Sequence, residues 1–154
     1  MILQYWGRRG AGPLFVKHLV SAANKCQIDV FISLSESIDA PDRYFGLPID
    51  KVHFVKGFSG FVSFAYASLW MVVDLFKFFS KVLKIQGQRV ILSPMLNLWT
   101  PVVAVCSKLL GLKYLLIVHD AYPHPGENGV FSRLLLRVSI WSASELIVLS
   151  ESVR

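Results

Sequence analysis

Lys113-Tyr114-Leu115-Leu116-Ile117-Val118-His119-Asp120 is an apolar run rich in β-formers that stops at two titratable side chains. A run of this kind, without polar alternation, is what a parallel strand covered on both faces looks like. Ligands of such sheets bind outside the carboxyl ends of the strands, and that is where His119 and Asp120 stand in the sequence. Further on, Pro123 and Pro125 flank His124 and restrict φ on both sides of it, so residues 121–127 are expected to form a stiff polar loop. His119 is the stronger functional candidate. His124, taken alone, reads equally well as a solvent-exposed loop histidine.

Outward from this stretch the chain repeats one pattern, strand then loop then helix. Residues 2–6 are a short β-favouring run, and Gly7-Arg8-Arg9-Gly10-Ala11-Gly12-Pro13 follows with Pro13 suited to a helix's first turn. Phe15, Leu19, Ala22 and Cys26 recur at helical spacing, which predicts a helix ending near Asn24 or Lys25. Ile28 to Ser33 reads as the second strand and Ser33-Leu34-Ser35-Glu36-Ser37 as the loop after it. Residues 38–48 hold two prolines and a glycine and read as irregular. Residues 51–56 read as a third, edge-like strand in which His53 is structural.

Residues 58–83 are the most hydrophobic segment. A membrane span needs about 20 apolar residues with little charge, but Asp74 and Lys77 interrupt this one and Gly57 and Gly60 break its start. Lys77, Lys81 and Lys84 share one helical face, so a core helix with a solvated stripe is the leading expectation, an interfacial helix the second and a span the third.

Residues 89–92 read as a strand, and Thr100 and Pro101 then cap and open a helix with Val102, Val105, Cys106 and Leu109 on one face up to Gly111. After the His119-Asp120 strand come a helix through Phe131 to Arg137 and a last strand, Glu145-Leu146-Ile147-Val148-Leu149, ending at Ser150. Strands alternating with helices imply right-handed βαβ units. The expected fold class is α/β, a Rossmann-like three-layer α/β/α sandwich with a mostly parallel sheet.

Composition narrows the function classes. The 154 residues are 54% hydrophobic and only 17% charged, which fits one domain with an ordinary core and excludes disorder. A net charge of +6 favours anionic partners, but the basic residues are dispersed, so nucleic acid is not expected; an anionic membrane surface or a phosphate-bearing small molecule accounts for the charge equally well. Cys26 and Cys106 lie in no metal-like spacing and are expected to be reduced core thiols. The N-terminus lacks the pattern of a signal peptide, which points to a cytoplasmic protein. The glycine turn with Arg8 and Arg9 at a helix start would suit a phosphate, yet its G-x-x-G-x-G spacing is neither the dinucleotide fingerprint nor a P-loop. A zinc site built on His119, Asp120 and His124 has no recognised ligand spacing.

Three stretches, taken in order, resemble the N-terminal domain of GT-B fold glycosyltransferases of family 4. They are Tyr5-Trp6-Gly7-Arg8-Arg9-Gly10-Ala11-Gly12, the 111–127 segment around His119-Asp120, and Glu145 to Arg154. The resemblance implies an acceptor-side domain over residues 1–154, in an enzyme that moves a sugar from a nucleotide-sugar donor to a saccharide or lipid-linked acceptor in cell-envelope synthesis. It implies His119 and Asp120 as catalytic residues, and Arg8, Arg9, Gly10 and Gly12 as substrate contacts. His124, Glu127 and Ser150 complete the expected substrate-binding set. No metal or other cofactor is expected, since this family holds the leaving diphosphate with side chains and helix dipoles. The donor-binding C-terminal domain, with its E-x7-E glutamates, has no counterpart in this sequence, so the chain is expected to be an incomplete enzyme, at the inner membrane face if the interfacial reading of 58–83 holds. The competing expectation is a non-catalytic binding module that pairs with a separately encoded half.

Overall fold

A computed structural model describes residues 1–7, 10–39, 45–57, 61–118 and 129–149, without the side chains of 61, 62 and 64. The chain divides into two compact units, Met1–Arg89 and Val90–Arg154. The first contains β1 (Ile2–Tyr5), α1 (Gly12–Lys25), β2 (Phe31–Ser35), a 3-10 turn at Ile49–Lys51, β3 (Val52–Val55) and α2 (Phe61–Lys84). The second contains β4 (Val90–Ser93), α3 (Thr100–Leu109), β5 (Lys113–Val118), α4 (Val130–Ser142) and β6 (Glu145–Val148). Among the described residues, six parallel strands with four helices make the protein α/β and Rossmann-like, as the alternation of strand and helix signals predicts.

In the first unit β2 lies between β1 and β3, and the register sets Leu3, Ile32 and Val52 in one row and Gln4, Ser33 and His53 in the next. Successive side chains along a strand point to opposite faces, so the two rows are covered separately. Tyr5 packs on Gly12 at the start of α1, while His53 and Trp6 both meet Phe78 of α2. The two helices therefore cover opposite faces, and the unit is a three-layer sandwich.

Three expectations shift. The second strand begins at Phe31 rather than Ile28. The reason is the end of α1, where Gln27 takes a left-handed φ of 57° and the Ile28 amide returns to the Ala23 carbonyl at 2.9 Å, which satisfies a helix-end carbonyl and leaves Ile28 in the turn. Because β2 starts late it also ends late, and Ser33 and Ser35 belong to the buried strand, not to a polar loop. Cys26 is correspondingly exposed: it is the first residue past α1, not a core thiol.

The buried faces of α1 and α3 are rotated from the expected ones. On α1 the buried stripe is Pro13, Val16, Val20 and Ala23, since the packing of Gly12 against Tyr5 fixes the helix's rotation at its first turn. On α3 it is Thr100, Val103, Ala104 and Ser107, while Leu109 is 81% exposed. In α3 and α4 the buried positions include Ala104, Ser107, Ser139 and Ser142, small residues that let two packed helices approach closely. The Ser107 and Ser139 hydroxyls turn back to the carbonyls of Val103 (2.7 Å) and Leu135 (2.8 Å), so their burial leaves no unmet donor.

Candidate functional site

The carboxyl ends of the strands are the expected ligand edge, and in the first unit they are lined by small groups. After β1 the chain turns through Gly7 and Gly10 into α1, and Gly10 holds a left-handed φ of 86°, with open space where its side chain would stand. Gly7 and Gly12 are different. A Cβ on Gly7 would lie 2.5 Å from the Tyr5 hydroxyl oxygen, and one on Gly12 would lie 2.1 Å from it. Gly7 and Gly12 thus both pack against the tip of a buried phenol, whose pKa burial pushes above its ordinary value. Tyr5 and Gly7 belong to this site by packing, which sequence spacing alone does not reveal.

At the ends of β2 and β3, the Ser35 and Ser37 hydroxyls are 3.0 Å apart and the Glu36 amide donates to the Val55 carbonyl at 2.9 Å. Gly57 lies against the same two serines, leaving no room there for a side chain. The next amide, of Lys56, donates to the buried Asp74 carboxylate of α2 at 2.9 Å. These contacts hold the carboxyl ends of β2 and β3 rigidly together, the arrangement a binding edge needs.

Beneath that edge lies a buried polar row. Trp6 Nε1 donates to Ser33 Oγ at 2.8 Å, and Ser33 Oγ is 3.0 Å from His53 Nδ1. Burial first, and then the Lys81 ammonium, lowers the His53 pKa from its ordinary value near 6.5 to about 4, so the imidazole is neutral at pH 7. Trp6 can only donate, so Ser33 accepts from it and its own proton is available to a neutral His53. A serine beside an imidazole is also how a nucleophilic site begins. Here Ser33 is fully buried and His53 lies under the Phe78 ring at 6.0 Å between centroids, so the pair is a core clip. Gln4, the third member of the row, is fully buried, and among the described residues neither of its amide atoms has a hydrogen-bond partner.

In the second unit, the loop after β4 is closed by a reciprocal pair: the Asn97 amide donates to Thr100 Oγ1 at 2.9 Å and the Thr100 amide to Asn97 Oδ1 at 3.1 Å. Asn97 also accepts from the Trp99 amide at 3.0 Å, so Asn97, not Thr100, supplies the cap of α3. Strand β5 runs from the half-exposed edge at Lys113 into buried Leu116, Ile117 and Val118, and its last described residue is Val118.

Of the residues predicted for the site, Gly10 and Gly12 are placed as above. Arg8, Arg9, His119, Asp120, His124, Glu127 and Ser150 lie outside the described residues. Among the described residues no group of three or more His, Cys, Asp and Glu could hold a metal ion. No protein-family model matches the chain, and no curated protein sequence matches it.

Proposed function

We propose that this chain is the acceptor-side half of a glycosyltransferase, which works with a donor-binding half to move a sugar from a nucleotide-sugar to a saccharide or lipid-linked acceptor at the inner face of the cell membrane. The observation that carries the reading is the course of β5: a buried parallel strand whose final described residue, Val118, is followed directly in sequence by His119 and Asp120. A strand of this type delivers the residues after it to the edge where α/β proteins bind ligands. Within the first unit, taken by itself, the glycine turn between β1 and α1 and the serine-lined ends of β2 and β3 support the carboxyl ends of its own strands as its binding side. In this role Arg8 and Arg9 contact phosphate or acceptor, and His119 acts on the donor sugar or the developing charge, with Asp120 supporting it. A second reading, a non-catalytic module of the same fold, is favoured by the packing of Gly7 and Gly12 around Tyr5, which commits two of the turn's glycines inward.

The test is sugar transfer from radiolabelled nucleotide-sugars to a membrane-lipid extract. The purified chain alone should transfer nothing, and the chain fused to a donor-binding Rossmann-like half should transfer at a measurable rate. Transfer by the chain alone, or a folded fusion without transfer to any acceptor, overturns the reading, the latter in favour of the binding module.

A further inference from the structure

We propose that the outward face of α2 lies in the headgroup region of an anionic bilayer. The proposal rests on the membrane-face part of the reading above and not on its chemistry, so vesicle binding and sugar transfer fail separately.

Helix α2 has two apolar faces where a core helix needs one. Met71, Phe78 and Val82 are buried and pack inward. On the opposite side Leu69, Val72 and Phe76 are 79%, 73% and 75% exposed, and Val73 and Leu83 continue the same stripe at helical spacing. A contiguous exposed apolar stripe marks an interaction surface. Among the described residues no helix is long and apolar enough to cross a membrane, so the stripe's place is on a surface rather than through one.

The charge beside the stripe selects the partner. Lys77, Lys81 and Lys84 are all exposed and run along one flank of it. The helix's single acidic residue, Asp74, is 5% exposed and engaged by the Lys56 amide, so the outward surface of α2 carries positive charge only. Towards the helix's N-terminal end, Tyr66 and Trp70 stand exposed with the Lys56 ammonium 4.8 and 3.9 Å from their ring centroids. An apolar stripe edged by lysines, with aromatic rings that have one apolar and one polar end, matches the boundary between headgroups and acyl chains.

The experiment is flotation of the whole chain with vesicles of phosphatidylcholine alone and with vesicles containing an equal part of phosphatidylglycerol. Binding is expected to the anionic vesicles only and to fall as salt rises, because each lysine near an anionic surface contributes roughly fivefold. Phe76→Glu and the pair Lys77→Glu with Lys81→Glu should each abolish flotation with an unchanged melting temperature, since these side chains are exposed. Leu109→Glu, at an exposed apolar residue of the second unit, should float as the wild type does. Absence of flotation on anionic vesicles, wild-type flotation by Phe76→Glu, or self-association that Phe76→Glu reverses without any vesicle binding overturns the proposal, the last in favour of a second copy covering the stripe.

Discussion

The phenol oxygen of Tyr5 fills the space in which a side chain on Gly12 would begin, 2.1 Å from that Cβ position. Ring atoms Cζ and Cε2 are only 2.5 and 2.8 Å away, so relief requires the whole buried ring to move. Gly12→Ala should therefore cost roughly 1–3 kcal/mol through overpacking. Gly10→Ala should cost about 1 kcal/mol for a different reason, its left-handed φ, since nothing stands where its Cβ would go. Urea unfolding in a Tyr5→Leu background separates the two: the Gly12→Ala penalty should shrink and the Gly10→Ala penalty should stay. An unchanged Gly12→Ala penalty in that background would place its origin away from Tyr5.

The buried His53 makes stability depend on pH in a defined window. Its folded pKa of about 4 lies below the ordinary value near 6.5, so between those values the unfolded chain binds the extra proton. Stability is then full above about pH 6.5 and falls as pH drops towards 4, by on the order of 3 kcal/mol across the window. The Asp29 carboxyl, held below its ordinary value chiefly by its hydrogen bond from Lys51, adds its own loss only at lower pH. His53→Gln, which keeps a polar group beside Ser33, should flatten the profile between pH 6.5 and 4. Denaturant midpoints at both ends of the window check this, and an equally steep profile in the variant would assign the titration to another group.

Asp74 is buried with the Lys56 amide as its donor, and Lys56 follows β3 directly. Asp74→Ala strands that N–H and should cost about 1–3 kcal/mol, whereas Asp74→Asn keeps an acceptor and should cost less. Since the Asp74 charge also raises the His53 pKa, Asp74→Asn should move the pH transition lower. Chemical denaturation of both variants against pH reads the two effects together, and equal costs for Ala and Asn would show that the amide does not depend on this acceptor.

How far the sequence could be read follows from how each segment signals itself. The alternation of strands and helices was legible because runs such as Tyr114 to Val118 are apolar throughout, and the parallel α/β fold follows from it. The faces of α1 and α3 were not, because both helices carry apolar residues on more than one side, and the buried stripe is chosen by contacts such as Gly12 on Tyr5 or by the small residues of α3 and α4. Ser33 and Ser35 read as loop because isolated serines look solvated; only the Trp6 and His53 partners, at separations of 27 and 20 residues, make Ser33 a strand residue. At the site, glycine spacing indicated a turn but not that Gly7 and Gly12 pack against Tyr5. Cys26 looked like core by spacing alone and is exposed because α1 stops one residue before it.

His119 is the residue on which the proposed chemistry turns, for it follows Val118 at the end of the buried β5. A side chain just past a strand's carboxyl end has fewer packing partners to lose than one within the strand, whereas an imidazole that hydrogen-bonds a donor sugar or a developing charge contributes roughly 10²-fold or more to turnover. In the fusion with a donor-binding half, His119→Ala should therefore lower sugar transfer by about that factor and leave the melting temperature nearly unchanged. His53→Ala should do the reverse, losing stability because it removes the partner of Ser33 under Phe78 and affecting transfer only through the folded fraction. Melting temperature and initial rate measured on both variants distinguish the roles. Full transfer by His119→Ala, or transfer lost only in proportion to folded protein, would make His119 structural and remove the catalytic part of the proposal.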